Sequence, residues 1–477
     1  MTDQPVRRRA HCNGRDIDYD LGIEMLPLRI SSGEEIGTLS AFSYVAQVPP
    51  EQRNTRPVVF LTNGGPGASS SFLHLSGIGP LRASVPSDLA AGALPPYGIE
   101  DSPSSILDAA DLVFIDAPRT GLGSVAPDAD LTEVYSIDGD AQVHARAITE
   151  WIRRHGRWNS PKYFLGESYG TQRAALLASA VHGFDTVPLS GIALLGQAVN
   201  IQETAERPGN VTGALANLPY KAAVAWFHGV GGTEHAHVED AVDAALEYAW
   251  GELALAMLQG TALAPQQLHE VAERLSRMIG IPAEELERSR LWISKKDFRS
   301  RLLAEKRLVL GTNDSRYLAP AADAAVGESP LDAATLRLTP AYTAAISILL
   351  DEVLGLRDRP SYRGFDEQAV ARWEWAEPGS RMFMTMGKPS PFHTYPYPAH
   401  LSRWMKAVPE SRLFIGTGLY DSLTTVGAAD HLVRQWDLPR ERVTSRWYAA
   451  GHMMYSDPEI GAQLNADLRA FVTGQCS

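Results

Sequence analysis

Short apolar, β-branched runs recur along the chain and stop at glycine or acidic residues: Ile36 to Val45, Val58 to Thr62, Asp111 to Asp116, Tyr163 to Leu165, Gly191 to Leu195, Arg412 to Thr417 and Thr444 to Tyr448. Runs of this length bounded by turn formers predict strands. Segments of helical spacing lie between several of them, at Asp140 to His155, Gln172 to His182 and Val426 to Trp436. That alternation predicts an α/β fold with a mainly parallel sheet, and places functional residues at the carboxyl ends of its strands.

The pattern changes from about residue 200 to 340. Thr233 to Trp250 sets Val238, Val242, Ala245, Leu246 and Ala249 at helical spacing, Pro282 to Trp292 reads as another short helix, and strand-like runs are scarce. The expected organisation is a core of residues 1–199 and 341–477 carrying a largely helical cap at 200–340. Such an insertion either shapes access to a site or serves only as a structural lid.

Composition narrows the functional classes. With 44% apolar and 21% charged residues in 477, the chain has the make-up of a globular protein, and no uninterrupted apolar run is long enough to span a bilayer. A net charge of −13 argues against a nucleic-acid surface, and the one dense basic run, Arg7-Arg8-Arg9, is expected to be a solvated end. The beginning of the chain lacks the apolar segment of a secretory signal, so a cytoplasmic protein is expected. The only cysteines, Cys12 and Cys476, fit a reducing compartment better than a disulfide, and they form no metal-type cluster. No metal, cofactor, membrane or nucleic-acid partner is expected.

The candidate chemistry begins at Gly166-Glu167-Ser168-Tyr169-Gly170, between the run ending at Leu165 and a helix-like stretch from Thr171. A G-x-S-x-G turn between strand and helix holds its serine in a strained conformation that exposes the hydroxyl to a base. The base needs an acid to fix its tautomer, and both should follow the serine in the chain. Asp421, in Gly416-Thr417-Gly418-Leu419-Tyr420-Asp421, and His452, in Ala450-Gly451-His452-Met453-Met454, each follow a predicted strand. Either residue alone is more often a turn former or a satisfied polar group. Together, in this order after an elbow, they read as a triad. Of the competing histidines, His393 and His400 fall in a Pro/Tyr-rich segment expected to be irregular, and His431 falls inside a helix. Leu61-Thr62-Asn63-Gly64-Gly65-Pro66-Gly67 follows another strand, and its glycines let backbone N–H groups approach a substrate; Pro66 cannot donate, so Gly65 and Tyr169 are the expected oxyanion donors. The loop has no lysine-bearing phosphate-loop pattern.

Taken together, Asn63-Gly64-Gly65-Pro66-Gly67-Ala68-Ser69-Ser70, the downstream Gly79-Pro80, the Gly166–Gly170 elbow, the Asp421 loop and Ala450-Gly451-His452-Met453 resemble the ordered motifs of the serine carboxypeptidase family. The resemblance implies an α/β-hydrolase fold, Ser168, Asp421 and His452 as triad, and a peptide substrate. It also implies recognition of a terminal carboxylate by the Asn63 side chain, the Gly64 backbone and Glu167. Two carboxyl groups bond only when one is protonated, so such a site favours acid. The chain departs from the pattern at Gly77, where relatives of acidic compartments carry a second glutamate, and at Ala68, which replaces a disulfide cysteine; it is similar to the shorter, cysteine-poor bacterial branch. Alternatives on the same scaffold are an acyltransferase, a hydrolase of small amides or esters, and a proline-iminopeptidase-like aminopeptidase, although the last usually has histidine where Asn63 stands. A non-catalytic binding protein would not need to retain a full triad.

Overall fold

The computed structural model describes residues 5–86, 88–89, 94–179, 188–321, 332–375 and 395–475. Its centre is a ten-stranded mixed sheet. β1 (Val6–Cys12), β2 (Arg15–Arg29) and β3 (Glu35–Ala46) form an antiparallel meander at one edge. β4 is Val58–Thr62, and a small hairpin of β5 (Leu81–Ala83) and β6 (Ile99–Asp101) stands apart from the sheet. β7 (Asp111–Ile115) pairs antiparallel with β3, and the short β8 (Ser124–Val125) also joins β3. From there β9 (Lys162–Glu167), β10 (Gly191–Leu195), β13 (Arg412–Gly418) and β14 (Val443–Tyr448) complete the order β1-β2-β3-β7-β4-β9-β10-β13-β14, all parallel from β7 onward.

The meander corrects one expectation. Arg7–Arg9 is not a loose end: the register sets Arg7 opposite Asp20, Arg9 opposite Asp18 and His11 opposite Asp16, and Arg9 Nε donates to Asp18 Oδ1 at 2.7 Å. Opposite charges directly across an antiparallel pair stabilise it. Alternating with those acids and continuing past them, Tyr19, Leu21 and Ile23 turn into the core.

Side-chain alternation on the parallel strands feeds two cores. On one face Phe60, Val113, Phe164, Ile192, Leu194 and Ile415 pack against the helices Ile137–His155, Tyr169–Ser179, Tyr397–Ala407 and Val426–Gln435. On the other, Leu61, Leu112, Phe114, Leu165, Leu195 and Phe414 pack against the helices Ala333–Ile348 and Pro458–Thr473. His400 therefore lies on a helix, contrary to the irregular loop expected; His393 lies outside the described residues. Cys12 is a buried free thiol, and Cys476 too lies outside the described residues.

Between β10 and β13 the chain builds a third core from helices including Leu218–Phe227, Val238–Tyr248, Pro265–Ile279 and Lys295–Arg301, closed by a hairpin of β11 (Leu308–Leu310) and β12 (Leu318–Pro320). Leu419, Tyr420 and Val426 belong to this core, so it rests on the loop after β13. The helix from Ala333, which continues to Val353, runs through the expected boundary at 340 and packs Leu338, Tyr342, Ala345 and Ile346 into the second core of the sheet. By length and composition it could cross a membrane; its apolar side chains are used in that packing instead.

Trp151 shows how tightly the first core is specified. It is fully buried, meets Phe60 edge-on with centroids 5.5 Å apart, and donates its indole N–H to Ser43 Oγ at 2.9 Å. Trp151→Ala should cost about 3–5 kcal/mol of unfolding free energy in urea titrations. A loss below about 1 kcal/mol would contradict this packing.

Candidate active site

β9 ends at Glu167 and the next helix starts at Tyr169, so Ser168 is the whole turn. It sits at φ 58°, a left-handed conformation that non-glycine residues rarely adopt. The flanking glycines make the turn possible: a Cβ on Gly166 would lie 2.1 Å from the Gly170 carbonyl oxygen, and one on Gly170 would lie 2.8 Å from that of Thr62. Ser168 N–H donates to Leu195 O at 2.9 Å, while its carbonyl accepts from Thr171 N–H at 2.9 Å and Thr171 Oγ1 at 2.6 Å. Its neighbours are buried, yet Ser168 is partly exposed.

The histidine and acid come from β14 and β13. Asp421, fully buried, accepts from His452 Nδ1 at 2.7 Å, from the N–H of Leu423 at 2.7 Å, and from Thr424 Oγ1. With the Nδ1 proton held by the carboxylate, Nε2 is the basic nitrogen. The imidazole lies against Gly196, the residue after the Leu195 carbonyl that anchors Ser168: a Cβ on Gly196 would be 3.1 Å from His452 Cε1. Nucleophile and base candidates are therefore both seated at the end of β10. Burial opposes a charge on His452, but Asp421, with a further contribution from Glu167, outweighs it and raises the pKa to about 9.

The loop after β4 closes the other side. Gly64 touches the elbow so closely that a Cβ would be 2.5 Å from Tyr169 N and 3.0 Å from Ser168 Cβ. Gly65, at φ 108°, carries the next N–H, and Tyr169 is the first residue of its helix, where an N–H has no intrahelical acceptor. Asn63 donates through Nδ2 to Glu167 Oε2, and its Oδ1 accepts from Leu73 N–H at 3.0 Å. Glu167 Oε2 also accepts from Tyr455 Oη at 3.0 Å, whereas its buried Oε1 has no partner among the described residues. Burial pushes the Glu167 carboxyl up to about 7, with His452 and the Tyr455 hydroxyl pulling the other way. Gly77 cannot supply a second carboxylate: its φ is 89°, its carbonyl accepts from Ser102 Oγ at 2.6 Å and Asn465 Nδ2 at 2.8 Å, and a Cβ would press on Ser102 Oγ at 3.0 Å.

A strap from Tyr362 to Trp375 braces the loop. Ser69 N–H donates to Gly364 O and Asp366 N–H to Gly67 O, at 2.9 and 2.8 Å, and the Tyr169 ring stands edge-on to Trp373 at 5.2 Å. Asp116 gathers the underside: it accepts from Ser40 Oγ, Ser70 N–H and Tyr362 Oη at 2.7–2.8 Å.

Sequence reasoning missed a buried ion pair beneath this assembly. Arg173 donates from Nε and Nη2 to Asp140 at 2.7 and 3.2 Å, and from Nη1 to Thr62 Oγ1 and the Asn63 carbonyl, both at 2.9 Å. Burial works against the Asp140 charge, but Arg173 and His144 prevail and hold its carboxyl down at about 2. The signal was legible: Arg173 is a lone charge followed by Ala174-Ala175-Leu176-Leu177 on a core-facing helix, and such a charge needs a partner. Arg173→Met should destabilise the protein by about 3–5 kcal/mol by stranding Asp140. Adding Asp140→Leu should recover much of that loss in denaturant titrations; a double variant at least as unstable as the two single losses combined would show that the two charges are not coupled.

The model of the serine carboxypeptidase family (Peptidase S10) matches residues 39–204, which span the loop after β4 and the serine elbow. None of the curated proteins is similar in sequence. Among solved structures, the fold is similar to that of Kex1(Δ)p, a prohormone-processing carboxypeptidase from Saccharomyces cerevisiae, with a TM-score of 0.55 and 12% identity over 96% of this chain and 91% of that one. The 2-hydroxy-6-oxo-6-phenylhexa-2,4-dienoate hydrolase of Rhodococcus sp. strain RHA1 aligns with a TM-score of 0.36 and 14% identity, over 94% and 100% of the two chains. Residues 39–204 thus match the serine carboxypeptidase family model, and the chain as a whole has the fold of an α/β-hydrolase.

Proposed function

We propose that the protein is a serine-type carboxypeptidase that removes the last residue of a peptide through an acyl-enzyme. In this reading Ser168 Oγ attacks the last peptide carbonyl while His452 Nε2 takes its proton, and Asp421 stabilises the imidazolium. The N–H groups of Gly65 and Tyr169 donate to the oxyanion. His452 returns the proton to the leaving amine, and water then releases the acyl group by the same route. The observation that carries the reading is Glu167: a buried carboxyl bonded to Asn63 beside the nucleophile, with one oxygen unpartnered and a pKa of about 7. Protonated, it can donate to a peptide's terminal carboxylate, with Asn63 and the Gly64 backbone completing the clasp.

Ser168→Ala should abolish turnover while leaving the protein folded. Amidating the peptide's C-terminus should lower kcat/KM by about 1.5–3 kcal/mol, on the order of ten- to over a hundredfold, and Asn63→Ala should shrink that preference. Equal cleavage of free-acid and amidated peptides, unchanged in Asn63→Ala, would overturn the reading in favour of a general amidase or an acyltransferase.

The pH profile offers a second test. Clasping a carboxylate requires Glu167 protonated and catalysis requires His452 neutral, so the active form holds one proton between the pair. That form is most populated between the apparent values near 7 and 9. For free-acid peptides kcat/KM should rise through about 7 and fall through about 9, whereas for amidated peptides it should only rise. Glu167→Gln should remove the alkaline fall and leave a single rise that follows His452 alone, below about 9 because the carboxylate no longer supports the imidazolium charge. A free-acid profile that climbs to a plateau in the wild type would reject the role of Glu167.

A further inference from the structure

A cavity of about 370 Å³ lies where the cap meets the acid loop. Gln197, Ser422 and Thr424 form its core side, and Glu206, Lys295 and Arg299 are among the residues that line its cap side. It adjoins the triad, because Thr424 Oγ1 bonds to Asp421 and lies 3.3 Å from His452 Nδ1, and Gln197 follows the Gly196 that abuts the imidazole.

The charges in this cavity do not balance. Glu206 is the only carboxylate among the residues lining it, and both of its oxygens are engaged: Oε1 by the buried Lys221 ammonium at 3.2 Å and Oε2 by the Lys295 backbone N–H at 2.7 Å. Lys295 and Arg299 thus share the wall with one carboxylate that is already hydrogen-bonded elsewhere, and Glu206 and Asp421 offset the burial of Lys295 only in part. Arg299 is anchored by Nη1 to Ser422 Oγ at 3.0 Å, and Ser422 Oγ in turn donates to Thr312 O at 2.6 Å, which ties the cation to the loop carrying Asp421. Burial lowers the Lys295 pKa, a penalty that a bound anion would relieve. In a chain of net charge −13, setting Lys295 and Arg299 side by side in one partly enclosed space points to a negatively charged ligand.

We propose that this cavity binds an anionic group, a carboxylate or phosphate, held by the Lys295 ammonium and the Arg299 guanidinium. The anion is either a side-chain carboxylate of the substrate or a small free anion. Assignment to the substrate rests on the hydrolase reading; binding of an anion does not.

The test uses the full chain as Ser168→Ala, so that binding is read without turnover, and titrates it calorimetrically with inorganic phosphate and with glutarate. At least one of the two should bind, Lys295→Met and Arg299→Met should each weaken it tenfold or more, and Glu206→Gln should tighten it. Because Arg299 also ties the cap to the acid loop, Lys295→Glu serves as a second charge variant, and thermal melting establishes that each variant is folded. In the active enzyme, paired peptides carrying glutamate or glutamine beside the scissile bond separate the sources. A glutamate preference lost in Lys295→Met assigns the site to the substrate. Phosphate or glutarate binding without that preference assigns it to a free anion. No binding of either probe together with no glutamate preference, or binding indifferent to every charge variant, overturns the proposal. Failure of the free-acid over amide preference would leave it standing.

Discussion

The arginine–aspartate pair at Arg173 and Asp140 fixes the geometry on which the site rests. Its guanidinium links the helix after the elbow to the helix before it, and with its remaining donors it holds the carbonyl of Asn63 and the hydroxyl of Thr62 at the end of β4. The loop carrying Gly64 and Gly65 and the turn carrying Ser168 are thus tied to one buried charge. Removing two charges from water costs several kcal/mol, which only near-ideal hydrogen bonding offsets. What the arrangement secures is position: the backbone of Gly64 can approach Tyr169 N only if both segments stay where the ion pair holds them.

Glu167 and His452 form a second coupled pair, and here the coupling bears on chemistry. Each is buried and each shifts the other. Glu167 stands as a single buried carboxyl bonded to Asn63 and to Tyr455, with Gly77 where the family pattern can set a second glutamate. The backbone at Gly77, at positive φ and with its carbonyl doubly bonded, leaves no place for the second.

Much of this was legible in the sequence because it is written in local patterns. The parallel strands β4, β7, β9, β10, β13 and β14 are short apolar runs, and the glycines of the elbow and of the loop after β4 sit where backbone contact forbids a side chain. What escaped notice was written at longer range. The alternation of Asp16, Asp18 and Asp20 with Ile17, Tyr19 and Leu21 is a strand signature, but its meaning as a partner for Arg7 and Arg9 emerges only when the two strands are paired. Asp140 and Arg173 are separated by β9 and meet only in three dimensions. Tyr455 lies three residues past His452, yet its reach to Glu167 depends on how the short helical turn Met454–Ser456 folds back. Helix Ala333–Ile348 shows the opposite effect, since the boundary expected at 340 cuts through it while the sheet's second core claims Leu338, Tyr342, Ala345 and Ile346.

The meander at the sheet's edge has a consequence for how molecules of this protein meet each other. A wide sheet ends in strands with unpaired backbone groups, and such edges recruit strands from other chains. β1 presents Arg7 and Arg9 on one face, each opposite an aspartate on β2, and at the opposite edge β14 begins beside Arg442 and carries the exposed Arg446. A strand adding to either edge would have to bury or crowd these cations. The same residues that set the register of the first hairpin therefore guard the sheet against growing beyond its own chain, and crowding by neighbouring molecules meets a charged border rather than an open ladder.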